Sequence, residues 1–345
     1  MPRPVPAELL PWALAALGAA VAERPPALTV VAGDASNRRY FRFLWAGQRY
    51  ILVEAPPATE KNAAFLAVRE LLCGAGVKVP ALYAVDLQRG FLLLEDLGDR
   101  VLLPELNVGS VDTHYAEAFA VLRHIAALAP DQVDLPLYDH ALLTEELSRF
   151  ADWFVEALLG YTPNPAEQDL LDSLFARLID SALEQPKVLV HRDFHSRNLM
   201  LQEGGELAVI DFQDAVVGPI TYDLVSLLRD CYIQWPPEQV AAWALQQRDA
   251  LQALGKLRGV NDERFMRWFD WMGLQRHIKV LGTFARLYLR DGKSAYLDDL
   301  PLVIHYVMEI VEKYAAREPE FAAFNQWFTR KLAPLIASQD WSNKT

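Results

Sequence analysis

The sequence holds two cysteines, Cys73 and Cys231, among 345 residues. Two thiols cannot build a disulfide framework or a cysteine-based zinc site, and a reducing compartment is the simpler setting for such a chain. Basic residues are scarce as well, 33 Lys and Arg against 45 Asp and Glu, for a net charge of −12. That balance argues against a grip on nucleic-acid phosphates, which needs clustered cations. No run reaches the ~18 consecutive apolar residues of a membrane span, and the chain has no internal repeat or low-complexity tract. What is present is 52% hydrophobic and 23% charged. An ordered globular chain with a large core and two or three folding units follows.

The apolar stretch LLPWALAALGAAVA at residues 9–22 ends in the triplet Ala20-Val21-Ala22, a small-residue pattern of the kind found at leader cleavage sites. Glu8 and Pro11 interrupt it, and Leu9, Trp12/Ala13, Ala16/Leu17 and Ala20 recur at helical spacing. An amphipathic helix that stays with the protein is the expectation.

From residue 27 the pattern becomes that of strands. ALTVVA, RRYFRFLW and RYILVEA are short β-rich runs separated by the turn residues GDASN and AGQ. Residues 63–72 have helical composition and end before Gly74 and Gly76; ALYAVDL and FLLLEDL then predict two more strands. After Gly98 the chain reads as mostly helical, so a boundary is expected near Leu97. One island breaks the helical part: KVLV, the loop HRDFHSRN, then LMLQ and LAVI around the turn EGGE, then IDFQDA. A loop and a hairpin between helices are expected there.

That island carries the chemistry. Asp193 is followed by Asn198 after four intervening residues, and Asp211 comes directly after the hairpin. Phosphoryl transfer from ATP needs a carboxylate to receive a hydroxyl proton and hard oxygen ligands for Mg²⁺. One carboxylate, one amide and a second carboxylate supply those groups. Singly, each has an ordinary explanation, such as a helix cap or a structural histidine. Together, strand, H-R-D-x-x-x-x-N, hairpin, apolar strand and D-F stand in the order of the catalytic and metal loops of kinases.

With HRDFHSRN, IDFQDA and LLLEDLG (residues 92–98) as its motifs, the chain resembles the aminoglycoside phosphotransferase and choline kinase-like family over nearly all of its length. The resemblance implies an α+β, bilobal, protein kinase-like fold. Its N-lobe, residues 1–97, would hold five antiparallel strands, one helix and the N-terminal helix; its C-lobe, 98–345, would be mainly helical and carry the catalytic loop and hairpin. It implies ATP and Mg²⁺ as cofactors, Asp193 as catalytic base, Asn198 and Asp211 as metal ligands, and the backbone from Glu95 to Leu97 as the adenine hinge. Asp223 would be a structural anchor. The turn GDASNRRY occupies the place of the family's phosphate-covering loop, where Gly33, Ser36, Asn37 and Arg38 offer donors to phosphate oxygens. The chain departs from the pattern in its third strand, where Val53 and Glu54 stand at the positions expected for a Lys. Arg38, Arg39 and Lys61 are the cations near enough in sequence to replace it.

No A-P-E follows the DFQ, which disfavours a protein as acceptor. Small acceptors in the family bind between the catalytic loop and later helices, so His195, Arg197, Gln275, Arg276 and Lys279 are the candidate substrate residues. Residues 273–290 read as a helix with Leu274, Ile278, Leu281 and Ala285 toward the core, and a solvated basic face is the competing reading of its cations. Arg276, His277 and Lys279, three basic residues in an acidic chain, suit an anionic or hydroxyl-rich acceptor. The stretches QRHIKVLGTFARLY and TYDLVSLLRD resemble those family members that phosphorylate an amino sugar at its anomeric carbon in cell-wall recycling. The expected partner is therefore a small amino sugar, with no nucleic acid and no membrane, in the cytoplasm; the oligomeric state is left open, a monomer included. Other acceptors (aminoglycoside, choline, homoserine) are the rivals within the family, and a nucleotide-binding pseudokinase, suggested by Glu54, is the rival outside it.

Overall fold

The computed structural model describes residues 4–19, 25–31, 37–129 and 134–342. Ala20 to Ala22, Gly33 and Ser36 lie outside the described residues. The chain divides into two compact units, Met1–Glu117 with Arg197–Asp214, and Ala118–Ser196 with Ala215–Thr345. The boundary expected at Leu97 falls inside the first of these.

The first unit opens with α1 (Leu9–Ala16), followed by β1 (Thr29–Val31), β2 (Arg39–Trp45), β3 (Gln48–Glu54), α2 (Asn62–Gly74), β4 (Leu82–Asp86) and β5 (Phe91–Glu95). The strands form one antiparallel sheet in the order β1-β2-β3-β5-β4. Alternation along β2 and β3 turns Phe41, Phe43, Tyr50 and Leu52 to one face, where they meet Leu9, Ala13 and Leu14 of α1 in a buried cluster. Each of the large side chains contributes roughly 1.5–3 kcal/mol on leaving water. This is why the apolar N-terminal stretch is a helix against the sheet. β5 is buried at Phe91, Leu92, Leu93 and Leu94 alike, so it reads as a continuous apolar run.

In the second unit come the helices α3 (Val111–Ala127), which crosses the boundary between units, α4 (His140–Arg149) and α5 (Pro165–Leu183). The last two begin where the sequence caps them: Asp139 accepts from the Leu142 N–H, and Asn164 and Glu167 form a capping box. β6 (Lys187–Val190) leads into the catalytic loop, and β7 (Leu199–Leu201) and β8 (Leu207–Val209) make the expected hairpin. Backbone bonds from Leu102 N to Leu199 O, Leu201 N to Arg100 O and Val209 N to Lys78 O tie that hairpin into the first unit. β6 pairs not with the hairpin but with β9 (Val216–Pro219).

After β9 follow α6 (Tyr222–Leu228), α7 (Pro237–Ala253), the 30-residue α8 (Asp262–Asp291) and α9 (Leu300–Ala315). Every residue of α8 from Trp268 to Gly282 is buried. α8 packs against α4 and its π-helical continuation 150–158, α5, α6 and α9, so the solvated-face reading of its cations does not hold. At Gly282 a Cβ would sit 2.3 Å from the Arg149 carbonyl oxygen. Only glycine lets the two backbones approach so closely.

Candidate active site

The catalytic loop is held by two buried aspartates at either end of α6. Asp223, the second residue of that helix, accepts hydrogen bonds from the backbone N–H of His191 (2.7 Å) and Arg192 (3.0 Å). Asp230, just beyond its end, accepts from both the backbone N–H and the hydroxyl of Ser196. The β6–β9 pairing brings the loop to α6, because β9 runs straight into it. Between these anchors Arg192 adopts φ +76°, a conformation that costs a non-glycine residue about 1–3 kcal/mol. Its place in a doubly anchored loop is what sustains that strain. Burial pushes the Asp223 carboxyl up to about 6, although His191 and the two backbone N–H groups pull it down.

Asp193 itself is only partly buried. Its surroundings are dominated by positive charge. Enclosure by protein would push its carboxyl up, but Lys279, His195, Arg192 and Arg276 outweigh that and hold it below the ordinary Asp range. It stays ionised across the neutral range and is a weak base.

Behind these cations sits Glu146 of α4, with no exposed surface. It is bridged by Arg192, by Lys279 at 3.0 Å and by the Tyr138 hydroxyl, which donates to it. Lys279 also donates to the Tyr222 hydroxyl at 3.0 Å, and Arg192 lies over the Tyr138 ring. Burial would raise the Glu146 carboxyl, but Lys279, Arg192 and the Tyr138 hydrogen bond bring it down to about 2. Lys279 is in turn held protonated: burial works against its charge, and Glu146 overcomes the effect. Gln275 donates weakly to Tyr138 at 3.4 Å. Arg276, 3% exposed, donates to the Cys231 sulfur at 3.3 Å. His195 meets the Tyr232 ring edge to face, with centroids 5.4 Å apart. His277 has a structural place: it stacks on Tyr306 and bonds the Arg229 carbonyl, and burial, reinforced by Arg276, lowers its ring to about 3.

The other motif residues belong to the first unit. Asn198 is buried at the start of β7, and its carbonyl accepts from the Ile210 N–H, so Asn198 and Asp211 flank the hairpin as neighbours. Asp211 has φ +64° and accepts from Gln213 Nε2 at 2.7 Å. Phe212 turns inward and stacks on Phe65 of α2, with centroids 4.9 Å apart. Among the described residues no group of three or more His, Cys, Asp or Glu could hold a metal. An amide and a carboxylate at the two ends of a hairpin nevertheless suit Mg²⁺, which takes few protein oxygens and completes its shell with water and phosphate. Arg197 is exposed at the edge of this segment.

The third-strand departure now has a partner. Glu54 pairs in register with Arg39 across β2 and β3, and the two side chains form an ion pair. Lys61 is exposed and bridged to Asp214 at 2.7 Å. Arg38 is the buried one, beside Glu60 at 3.6 Å and 5.2 Å above the Phe65 ring. Arg38 and Asp211 both act on Tyr40, whose hydroxyl burial raises above the ordinary range. Asn37 is exposed and donates its N–H to Glu60. At the expected hinge, the Glu95 carboxylate is held by Lys78 at 2.9 Å and by the Ala81 N–H at 3.0 Å, and Leu97 O accepts from Gln202.

A family model described as "Phosphotransferase enzyme family" matches residues 27–269. The chain belongs to that family. The phosphotransferase is 43% identical over 299 residues to a Pseudomonas putida protein named N-acetylmuramate/N-acetylglucosamine kinase, covering 87% of this chain and 86% of the relative. A Pseudomonas aeruginosa protein of the same name is 41% identical over 321 residues, covering 92% and 90%. Among solved structures, ADP-bound aminoglycoside phosphotransferase APH(2'')-Ib aligns with a TM-score of 0.58 at 14% identity, over 89% of this chain and 99% of that one. A Plasmodium vivax ethanolamine kinase aligns with a TM-score of 0.58 at 10% identity, over 82% of each. These likenesses establish the bilobal kinase-like α+β fold.

Sequence reasoning missed Glu146, Tyr138, Tyr222 and Asp230 in the phosphotransferase. Glu146 did leave a signal. It falls on the apolar stripe Leu143, Leu147, Phe150 of α4 and its continuation, where a carboxylate has no reason to sit without a buried partner.

Proposed function

We propose that the protein transfers the γ-phosphoryl group of ATP to the anomeric hydroxyl of N-acetylmuramate and N-acetylglucosamine, making sugar 1-phosphates for peptidoglycan recycling. The names of relatives that match about nine-tenths of the chain support this reading. The observation that carries it is the charge around Asp193. Lys279, His195, Arg192 and Arg276 are the side chains that act most strongly on the Asp193 carboxylate, and all of them are basic. Such a site repels choline and aminoglycosides, which are cationic. It accepts a neutral or anionic sugar.

In the proposed reaction the anomeric oxygen attacks the γ-phosphorus, its proton passes to an Asp193 carboxylate oxygen, and the bond to the ADP oxygen breaks. The anomeric hydroxyl is the most acidic hydroxyl of a reducing sugar, which suits a base held below the ordinary range, and the loose transition state asks little of that base. Asn198 and Asp211 would hold Mg²⁺, which neutralises charge on the phosphate oxygens. Arg38, buried beside Glu60, is the cation that would take the role of the missing third-strand Lys. Glu95 to Leu97 serve as the adenine hinge, and Asn37 contributes to holding the phosphates. No helix among the described residues is long and apolar enough to cross a membrane, and with ATP as co-substrate the reaction belongs in the cytoplasm.

Incubation with Mg²⁺-ATP and each sugar, followed by phosphorus NMR, should show a phosphate coupled to the anomeric proton. A 6-phosphate, or no product from either sugar alongside turnover of choline or an aminoglycoside, overturns the reading.

Asp211→Asn tests the metal assignment. Losing one of few anionic oxygens should move the Mg²⁺ activation curve to higher concentration by about 10-fold or more. An unchanged curve removes Asp211 from the metal site.

A further inference from the structure

Five Lys and Arg side chains among the described residues are buried: Arg38, Arg229, Arg248, Arg276 and Lys279. Four are neutralised by carboxylates, Arg38 by Glu60, Arg229 by Asp270, Arg248 by Asp249 and Asp262, and Lys279 by Glu146. Arg276 forms no ion pair with a carboxylate among the described residues; its hydrogen bond goes to the Cys231 sulfur. Burial pushes the Cys231 thiol up, against the pull of Arg276, so that group is neutral at ordinary pH and leaves the guanidinium charge in place. Nε and Nη2 of Arg276 make no hydrogen bond among the described residues, yet neither is fully enclosed. The small exposure this residue keeps is therefore at its polar end.

A buried guanidinium that Asp193 reaches only at longer range, with no carboxylate in contact, is costly unless something anionic arrives to complete it. Its position says where that anion would sit. Cys231 lies between Asp230, which holds Ser196 of the catalytic loop, and Tyr232, whose ring packs on His195. One turn along α8 is Lys279, already shared between Glu146 and Tyr222. We propose that Arg276, and not Lys279, is the residue that recognises a carboxylate on the acceptor, the lactyl carboxylate of N-acetylmuramate, an inference that rests on the function proposed above. The chemistry of that sugar fits the placement. Its lactyl group is carried on C3 and its reacting hydroxyl on C1, with only C2 between them on the same ring edge, so base and carboxylate-binding cation must be close neighbours. N-acetylglucosamine lacks the lactyl group and so meets the cation only through its effect on Asp193.

Arg276→Gln should lower kcat/KM for N-acetylmuramate about 10- to 100-fold more than that for N-acetylglucosamine, since the charge-assisted bond is lost for one sugar alone while any effect through Asp193 is shared by both. Arg276→Lys should fall between, because it keeps the charge without the fork. Lys279→Gln should impair both sugars together. Equal losses for the two sugars in Arg276→Gln, or no loss with N-acetylmuramate, overturn the proposal. A parent protein that turns over neither sugar defeats the proposed function instead, and the site is then read with D-lactate by saturation-transfer NMR at constant ionic strength. A lactate signal in the parent that disappears in Arg276→Gln supports the site; no signal in the parent overturns it. Thermal melts of both Arg276 variants identify a folding failure, and Arg276→Lys then carries the comparison.

Discussion

Asp193→Asn is expected to lower turnover by about 10²–10⁴ with little change in the KM for ATP, because it removes a proton acceptor of nearly equal size. The loop should survive the change. Its backbone is held by Asp223 and Asp230 and not by the Asp193 side chain. The substitution does remove a carboxylate on which Lys279, Arg192 and Arg276 act, so a modest fall in melting temperature is expected with the loss of rate. Steady-state kinetics with a thermal melt separate these effects. Turnover near the parent rate would remove Asp193 as the base.

Glu146→Gln should be the most destabilising of the substitutions considered, by about 3–5 kcal/mol, since it leaves two enclosed cations without their shared anion. Removing one partner of a buried charged set costs more than removing the set. The double variant Glu146→Gln with Lys279→Met should therefore recover part of the loss in a double-mutant cycle. The same group sets a pH dependence. Its folded carboxyl titrates at about 2 against an ordinary value of 4.5, so its contribution is fully present above pH 4.5 and is lost as pH falls from 4.5 toward 2. That contribution is on the order of 3 kcal/mol. Urea unfolding between pH 7 and 3 should show a steeper acid loss in the parent than in Glu146→Gln; parallel curves would mean the carboxyl is not depressed by its neighbours.

Much of the fold could be read along the chain because its signals are local. Alternation along β2 and β3, the turn residues between them, and the caps at Asp139 and Asn164 each act within a few residues of themselves. The same holds for the motif: His191 to Asn198 and Asp211 to Asp214 are contiguous, and their order alone pointed to phosphoryl transfer. The strained backbone at Arg192 and Asp211 left no such trace. Neither residue type announces a positive φ, which here depends on anchors such as Asp223, 31 residues away from Arg192.

By itself, then, the sequence determined the strand–helix order, the hairpin and the residue types available for chemistry, since periodicity, turns and caps are short-range effects. Tertiary structure decided which cations are in use. Arg38, Arg39, Lys61 and Lys279 looked as free in sequence as Arg276, until packing brought Glu60, Glu54, Asp214 and Glu146 against the first four. Charge pairing is a matter of a few ångströms between segments far apart in the chain. The α8 helix shows this most directly, because its polar residues read as a solvated face until the helices around it buried every side.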